Sequence, residues 1–382
     1  MKNFTYCNPT RIEFGKGKEK NIGQYLSEYG VKKVLIVYGS ERIKQSGLFD
    51  TVTQSLTDHR VTYGALGGVQ SNPVMSKVYE GVALAKSIGA EAVLAVGGGS
   101  VLDSSKAIAA GAVYEGDVWD FFTYKAVPNK ALKIFDIMTL AATGSEMNNF
   151  AVVTKEETKE KFSLAGPATY PTVSVINPEL QATVTKEYLV YSAADIFAHS
   201  LDMYLSATYL PEYMAGYVEN ILKTVIRTTE ILLVDPAKYE ARAEFAWAAT
   251  QALNFTTFCG VENNRYDTHF IEHTLSAEYN IAHGAGLSIV MPAWMKWQKN
   301  NLPERFVQFA KNMFNVEGAD AGIEALKQWY QKIGTPVTLK EGNIPEEDIP
   351  MLVEKLSGVA KMWGAESLYT KEMIRTVLEN SK

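Results

Sequence analysis

The sequence predicts two domains, an α/β amino-terminal half built on a parallel sheet flanked by helices and an all-α carboxyl-terminal half. Two observations carry this reading. Short β-rich runs alternate with amphipathic helical patterns to about residue 175, and strand signals become sparse beyond about 185. Length agrees, since 382 residues exceed what one hydrophobic core usually supports. The break is placed beside Asn177-Pro178, giving domains of residues 1–180 and 181–382.

The elements follow in order. Residues 33–38 (KVLIVY) read as a strand, followed by Gly39-Ser40 and a helical stretch to about Ser55. Residues 59–66 read as a second strand. An amphipathic helix runs from beyond Ser71-Asn72-Pro73 to about Ile88. Residues 91–96 (EAVLAV) read as a buried strand, apolar without a break from Ala92. It leads directly into Gly97-Gly98-Gly99-Ser100 and a helix from about Val101. Residues 133–140 form another apolar run ending in a polar loop. In the second half, Thr185-Lys186-Glu187 opens a helix through Asp195 and His199 to about Leu205. Further helices are expected at 212–233, 239–258, 305–314, 322–333 and 371–379.

Composition narrows the function. A formal net charge of −6 argues against a nucleic-acid or anionic-membrane partner, which requires a basic surface. The only cysteines are Cys7 and Cys259, too few for a disulfide framework. With no apolar leader at the amino terminus and no long apolar run, a cytoplasmic protein is expected.

Two loops bear on phosphate. A strand, then Gly97-Gly98-Gly99-Ser100, then a helix is the arrangement that binds anions: glycines permit close approach, and free N–H groups and the helix dipole attract negative charge. The loop is neither a G-x-G-x-x-G fingerprint nor a Walker loop, because Lys106 stands too far beyond the glycines. The second loop, residues 139–146, ends another strand with Thr139 and Thr143, which would face the same crevice.

The histidines point to a cation. Four of the five lie between residues 195 and 283, as Asp195-x3-His199 and His269-x3-His273-x9-His283. An i,i+4 pair places two donors on neighbouring turns of one helix face. Asp195 also falls in an apolar stretch, where an unpaired carboxylate is costly to bury. A mixed carboxylate and imidazole set suits Zn²⁺ or Fe²⁺. Spacing alone leaves His269 and His273 equivalent.

Together these segments, Gly97-Gly98-Gly99-Ser100-Val-Leu-Asp103, Ala142-Thr143-Gly144-Ser145-Glu146 and the two histidine motifs, resemble the iron-containing (group III) alcohol dehydrogenases over essentially the whole chain. They look most similar to the bacterial branch of NADPH-dependent butanol dehydrogenases and aldehyde reductases. The resemblance implies a dinucleotide-binding amino-terminal domain, a helical second domain and an active site in the cleft between them. It also implies one divalent ion, Fe or Zn, on Asp195, His199, His269 and His283, with His273 left as a catalytic residue near nicotinamide and substrate. Gly98, Gly99 and Ser100 would hold the pyrophosphate, and Asp103 would lie near the nicotinamide end. Thr139 and Thr143 would line the nucleotide cleft, Lys161 would reach a ribose, and Leu180 would pack on the coenzyme. A homodimer is expected.

NAD-selective members carry an acid where this chain has Gly39 followed by Ser40. Glycine removes the repulsion of a 2′-phosphate, which Ser40 or Arg42 would contact, while Glu41 is an opposing charge; NADP is therefore expected over NAD. The implied reaction is hydride transfer between NADP(H) and a primary alcohol or aldehyde such as butanol or butanal. Phe150, Phe255, Phe258 and residues 264–266 are expected to line the pocket. The competing readings are an NAD-dependent glycerol- or diol-type dehydrogenase, which the Asp195-x3-His199 pair opposes, and a non-catalytic metal- and nucleotide-binding protein, which the intact loops oppose.

Overall fold

The computed structural model describes residues 1–382 and consists of two compact units. One comprises Cys7–Val184 with Asp235–Asn254; the other comprises Met1–Tyr6, Thr185–Val234 and Phe255–Lys382.

The first unit is built on six parallel strands: β1 (Arg11–Phe14), β2 (Lys33–Tyr38), β3 (Thr62–Leu66), β4 (Ala92–Gly97), β5 (Lys133–Met138) and, after a hairpin, β8 (Val173–Ile176). Their order across the sheet is β1-β8-β5-β4-β2-β3. The antiparallel hairpin pairs β6 (Phe150–Lys155) with β7 (Glu160–Ala165). The continuous apolar runs are the central strands, with β4 wholly buried and β2 and β5 buried beyond their first lysine. Register sets the function of this sheet. Tyr38 pairs with Val96 and Gly97 with Met138, so the chain leaves β2, β4 and β5 at one edge through Gly39, Gly98 and Thr139.

Four strands were not anticipated. β1 and β8 have four residues each, too short for a periodic signal, and the hairpin tip between β6 and β7 is a run of charged residues. The helix Tyr239–Ala252 also packs in this unit, so the units do not part at a single break between residues 180 and 181. Its Thr250 hydroxyl donates to the buried carboxylate of Glu146.

Beneath the two loops lies a buried ammonium. Lys106, on the helix Gly99–Gly111, is completely buried, and its Nζ lies 2.7–2.9 Å from the carbonyls of Ser145, Asn148 and Phe150 and 2.7 Å from Ser145 Oγ. Burial lowers its pKa to about 8, against the opposing pull of Asp103, Asp136 and Glu146. The Ser145 hydroxyl in turn donates to Asp103 Oδ1 at 2.8 Å, and Val152 N donates to Asp103 Oδ2 at 3.0 Å. One lysine thus ties the helix after the glycine loop to the segment after β5.

In the second unit the central helix is Lys186–Ser206, capped by Thr185 and buried at every residue from Ser192 to Ser206. It packs on the helix His283–Gln298, buried from Gly284 to Met295. A helix enclosed on all sides has no amphipathic period, which is why the sequence does not reveal the latter. The contact is close: a Cβ on Gly284 would stand 1.9 Å from the Tyr191 carbonyl oxygen. Two expected helices are interrupted. The one expected at 239–258 ends at Ala252, before Phe255 with φ of 70°. The one expected at 305–314 is α-helical only over Pro303–Phe309 and becomes π-helical over Ala310–Phe314. No helix is long and apolar enough to cross a membrane.

Replacing Lys106 by methionine keeps most of the volume but strands its acceptors and carboxylates. The expected loss is about 3 kcal/mol, roughly 6–12 °C in melting temperature. Scanning calorimetry of Lys106→Met checks this, and an unchanged transition would contradict it.

Candidate active site

The metal candidates all belong to the second unit. Asp195 and His199 sit one turn apart on the central helix, His269 lies on the helix Asp267–Tyr279, and His283 begins the helix His283–Gln298. Asp195 Oδ1 lies 3.5 Å from His199 Nε2, 3.8 Å from His269 Nε2 and 3.6 Å from His283 Nε2. These separations are long for hydrogen bonds. They match the edges of a coordination tetrahedron, because bonds of about 2.1 Å to Zn²⁺ or a similar ion imply ligand–ligand separations of about 3.4 Å.

Burial supports the same fit. Asp195 is 3 % exposed, and its Oδ1 and His269 Nε2 are buried atoms with no hydrogen-bond partner. Burial by itself would raise the Asp195 pKa, yet the imidazoles of His199, His269 and His283 hold it well below the usual carboxylate range. Burial lowers His269, while Asp195 and Asp202 carry its pKa up to about 9. A buried acceptor and a buried ring nitrogen converging without a hydrogen bond are what a cation would join.

Two acids unforeseen in the sequence complete the arrangement. Asp202 Oδ2 accepts from His269 Nδ1 at 2.8 Å and is itself held by the backbone and hydroxyl of Thr268. Glu272 accepts from His283 Nδ1 and from the Ser276 hydroxyl. Each acid accepts the Nδ1 proton and so aims Nε2 at Asp195, where a bound ion would take the place of an Nε2 proton. A signal for them existed. Asp202 stands in Ser-Leu-Asp202-Met-Tyr-Leu on the Asp195 helix, where the argument from buried charge applies equally.

His273 is half-buried. Its ring centroid lies 5.6 Å from that of His283 and 6.3 Å from that of His269. Potential ligand atoms group Asp195 with His199 and His269, and Glu272 with His273 and His283. A row of rings leads away from His269: Tyr266 at 5.4 Å, Phe258 at 6.1 Å from Tyr266, and Phe255 at 5.4 Å from Phe258.

The coenzyme candidates all belong to the first unit. Gly98 caps the helix Gly99–Gly111, which starts two residues earlier than expected and includes Ser100 in its first turn. A Cβ on Gly99 would stand 2.5 Å from Thr143 Oγ1, so the glycine and threonine loops touch at one sheet edge. Thr139 N donates to Gly97 O at 2.9 Å, making the same junction from below. Asp103 has both oxygens engaged, as described above. Lys161 is buried on β7, with Nζ 3.1 Å from Asn72 Oδ1. Leu180 is partly buried against the core of this unit, and the Ser40 hydroxyl accepts from Arg42 N at 3.4 Å.

Residues 9–178 match the family model described as iron-containing alcohol dehydrogenase, and residues 189–381 match the carboxyl-terminal model of the Fe-containing alcohol dehydrogenase family. The chain belongs to the iron-containing alcohol dehydrogenase family. It is similar over 100 % of its length to the crystal structure of NADH-dependent butanol dehydrogenase A from Thermotoga maritima, at 46 % identity, 99 % coverage of that chain and a TM-score of 0.97. It is 36 % identical over 363 residues to NADH-dependent butanol dehydrogenase A of Clostridium acetobutylicum, covering 93 % of each chain. It is also 31 % identical over 365 residues to the NADPH-dependent aldehyde reductase of Escherichia coli, again covering 93 % of each.

If Asp202 and Glu272 set the tautomers of His269 and His283, Asp202→Asn and Glu272→Gln each weaken Zn²⁺ affinity by about 10- to 100-fold. Competition with a chromogenic chelator measures this. Affinity unchanged in both variants would remove their assigned role.

Proposed function

We propose that the chain transfers hydride between NAD(P)H and a short aldehyde, with the primary alcohol as product, butanal and butanol being representative. The observation that carries this reading is the meeting of Asp195 Oδ1 with three imidazole Nε2 atoms at 3.5–3.8 Å in a member of this family. Asp195, His199, His269 and His283 would hold the ion. A divalent ion on such ligands supplies Lewis acidity toward a carbonyl or alcohol oxygen.

The other roles belong to the chain itself. The free N–H groups at Gly99 and Ser100 bind the pyrophosphate, helped by a helix dipole and by the absence of a side chain on Gly98 and Gly99. The rings of Tyr266, Phe258 and Phe255 form an apolar wall beside His269, which suits an unbranched alkyl group better than a polyol. His273, with its ring near His283, passes the proton that the product alcohol gains. The coenzyme loop carries opposed features: Gly39 has no side chain to hinder a 2′-phosphate, whereas Glu41 brings a negative charge to the same turn. The scarcity of cysteine supports a cytoplasmic setting, and sedimentation tests the expected homodimer.

Stripping the metal with a chelator should abolish butanal-dependent oxidation of NAD(P)H, and Fe²⁺ or Zn²⁺ should restore it. Full activity in metal-free protein would refute the reading. His273→Ala should retain stoichiometric metal yet lose about 100-fold in kcat, with a flattened pH profile. A variant with unchanged kcat and profile would remove His273 from proton transfer.

A further inference from the structure

We propose that Glu41 is the group through which this chain recognises the hydroxyls of the coenzyme's adenosine ribose, excludes a 2′-phosphate and so selects NADH over NADPH. The proposal rests on the coenzyme reading above and concerns the end of β2.

In a doubly wound sheet the pyrophosphate sits on the glycine loop, and an acid at the end of the neighbouring strand reads the adenosine ribose. Here β4 carries the glycine loop and β2 is the neighbour, with Tyr38 level with Val96. The residue immediately after β2 is Gly39, and a side chain does not fit there comfortably. Its Cβ would lie 3.2 Å from the Val69 carbonyl oxygen and 3.7 Å from Val101 on the helix after the glycine loop. An acid at the usual place would crowd the Val69 carbonyl, so the glycine there answers to packing as well as to the coenzyme, and the expectation of NADP drawn from Gly39 alone loses its force.

Glu41 supplies the acid from two residues further on. The Tyr38 hydroxyl donates to its Oε1 at 3.2 Å, and Lys44 Nζ pairs with its Oε2 at 2.9 Å. Tyr38 is the buried last residue of β2, and Lys44 Nζ lies over the Tyr38 and Phe49 rings at 5.1 and 5.5 Å from their centroids. The carboxylate is thus anchored to the end of the strand rather than free on a loop. Each carboxylate oxygen has a second lone pair, leaving acceptor capacity for two ribose hydroxyls. A 2′-phosphate offers no such donor and adds negative charge. The cations it would need on this turn are Arg42 and Lys44, and Lys44 is committed to Glu41.

The test is equilibrium binding of NADH and NADPH, without aldehyde, to the metal-loaded protein and to Glu41→Gln, read by quenching of tryptophan fluorescence. The side chain of Glu41 is largely exposed, so the variant should fold normally. The unaltered protein should bind NADH roughly tenfold more tightly than NADPH. Glu41→Gln should lose most of that preference by weakening NADH and by freeing Lys44 for a phosphate. Equal or tighter binding of NADPH by the unaltered protein, or an unmoved ratio in the variant, would overturn the proposal while leaving the dehydrogenase reading intact. Binding of neither coenzyme would overturn both.

Discussion

A carboxylate buried as completely as Asp195 needs compensating positive charge, and much of the second unit is arranged around that need. Three imidazoles converge on one of its oxygens, yet none approaches within a good hydrogen-bond distance. Asp202 and Glu272 fix two of the three rings, because each accepts an Nδ1 proton and aims Nε2 at Asp195. Nitrogens gathered about one carboxylate oxygen need a positive charge among them, and a divalent ion would supply it in place of the Nε2 protons. The His199 and His269 rings, 4.7 Å apart and nearly parallel, show how tightly packing enforces this convergence. The helices follow from it: one buried helix carries Asp195, His199 and Asp202, and Gly284 lets the helix that begins at His283 approach the carbonyl of Tyr191.

The first unit answers a different electrostatic problem. Backbone N–H groups at the glycine loop must remain unsatisfied by the protein if they are to meet a phosphate, so the loop has to be held from behind. Lys106 does this by gathering carbonyls of the segment after β5 around a buried ammonium. Ser145 connects that ammonium to Asp103, one turn past Ser100. The resulting chain of contacts makes the glycine and threonine loops a single rigid edge. Lys106 stands too far along the helix to touch phosphate as a Walker lysine does, and its place beneath the loops gives it a structural task instead.

What the sequence revealed depended on whether a residue's role shows in periodicity or in packing. Strands β2, β4 and β5 were legible because both faces are buried and the runs are mostly apolar, Asp136 in β5 being the one internal charge. The pairing of Asp195 with His199, and of His269 with His273, on single helix faces was legible because a helix repeats its face every three or four residues. By contrast, β1 and β8 are too short to show a period, and the helix from His283 to Gln298 is buried all round. The helix Tyr239–Ala252 was legible as a helix but not as part of the sheet unit, since its attachment runs through single contacts such as Thr250 to Glu146. Asp202 and Glu272 were missed for a similar reason. Their chemistry lies in touching a histidine far along the chain or on another helix, which spacing does not record.

His269 and His273 show where that limit falls. On the sequence they are interchangeable, two imidazoles on one face of one helix. In the fold, His269 has Asp202 behind it and Asp195 in front, an environment that orders its tautomer and buries its Nε2. His273 keeps partial exposure and groups with Glu272 and His283 instead. The roles proposed for them match these environments, since a ligand needs a fixed ring and protection from water, whereas a residue that passes protons needs access to them. What sets the surroundings of His269 apart is Asp202, a residue 67 positions from the one it orients.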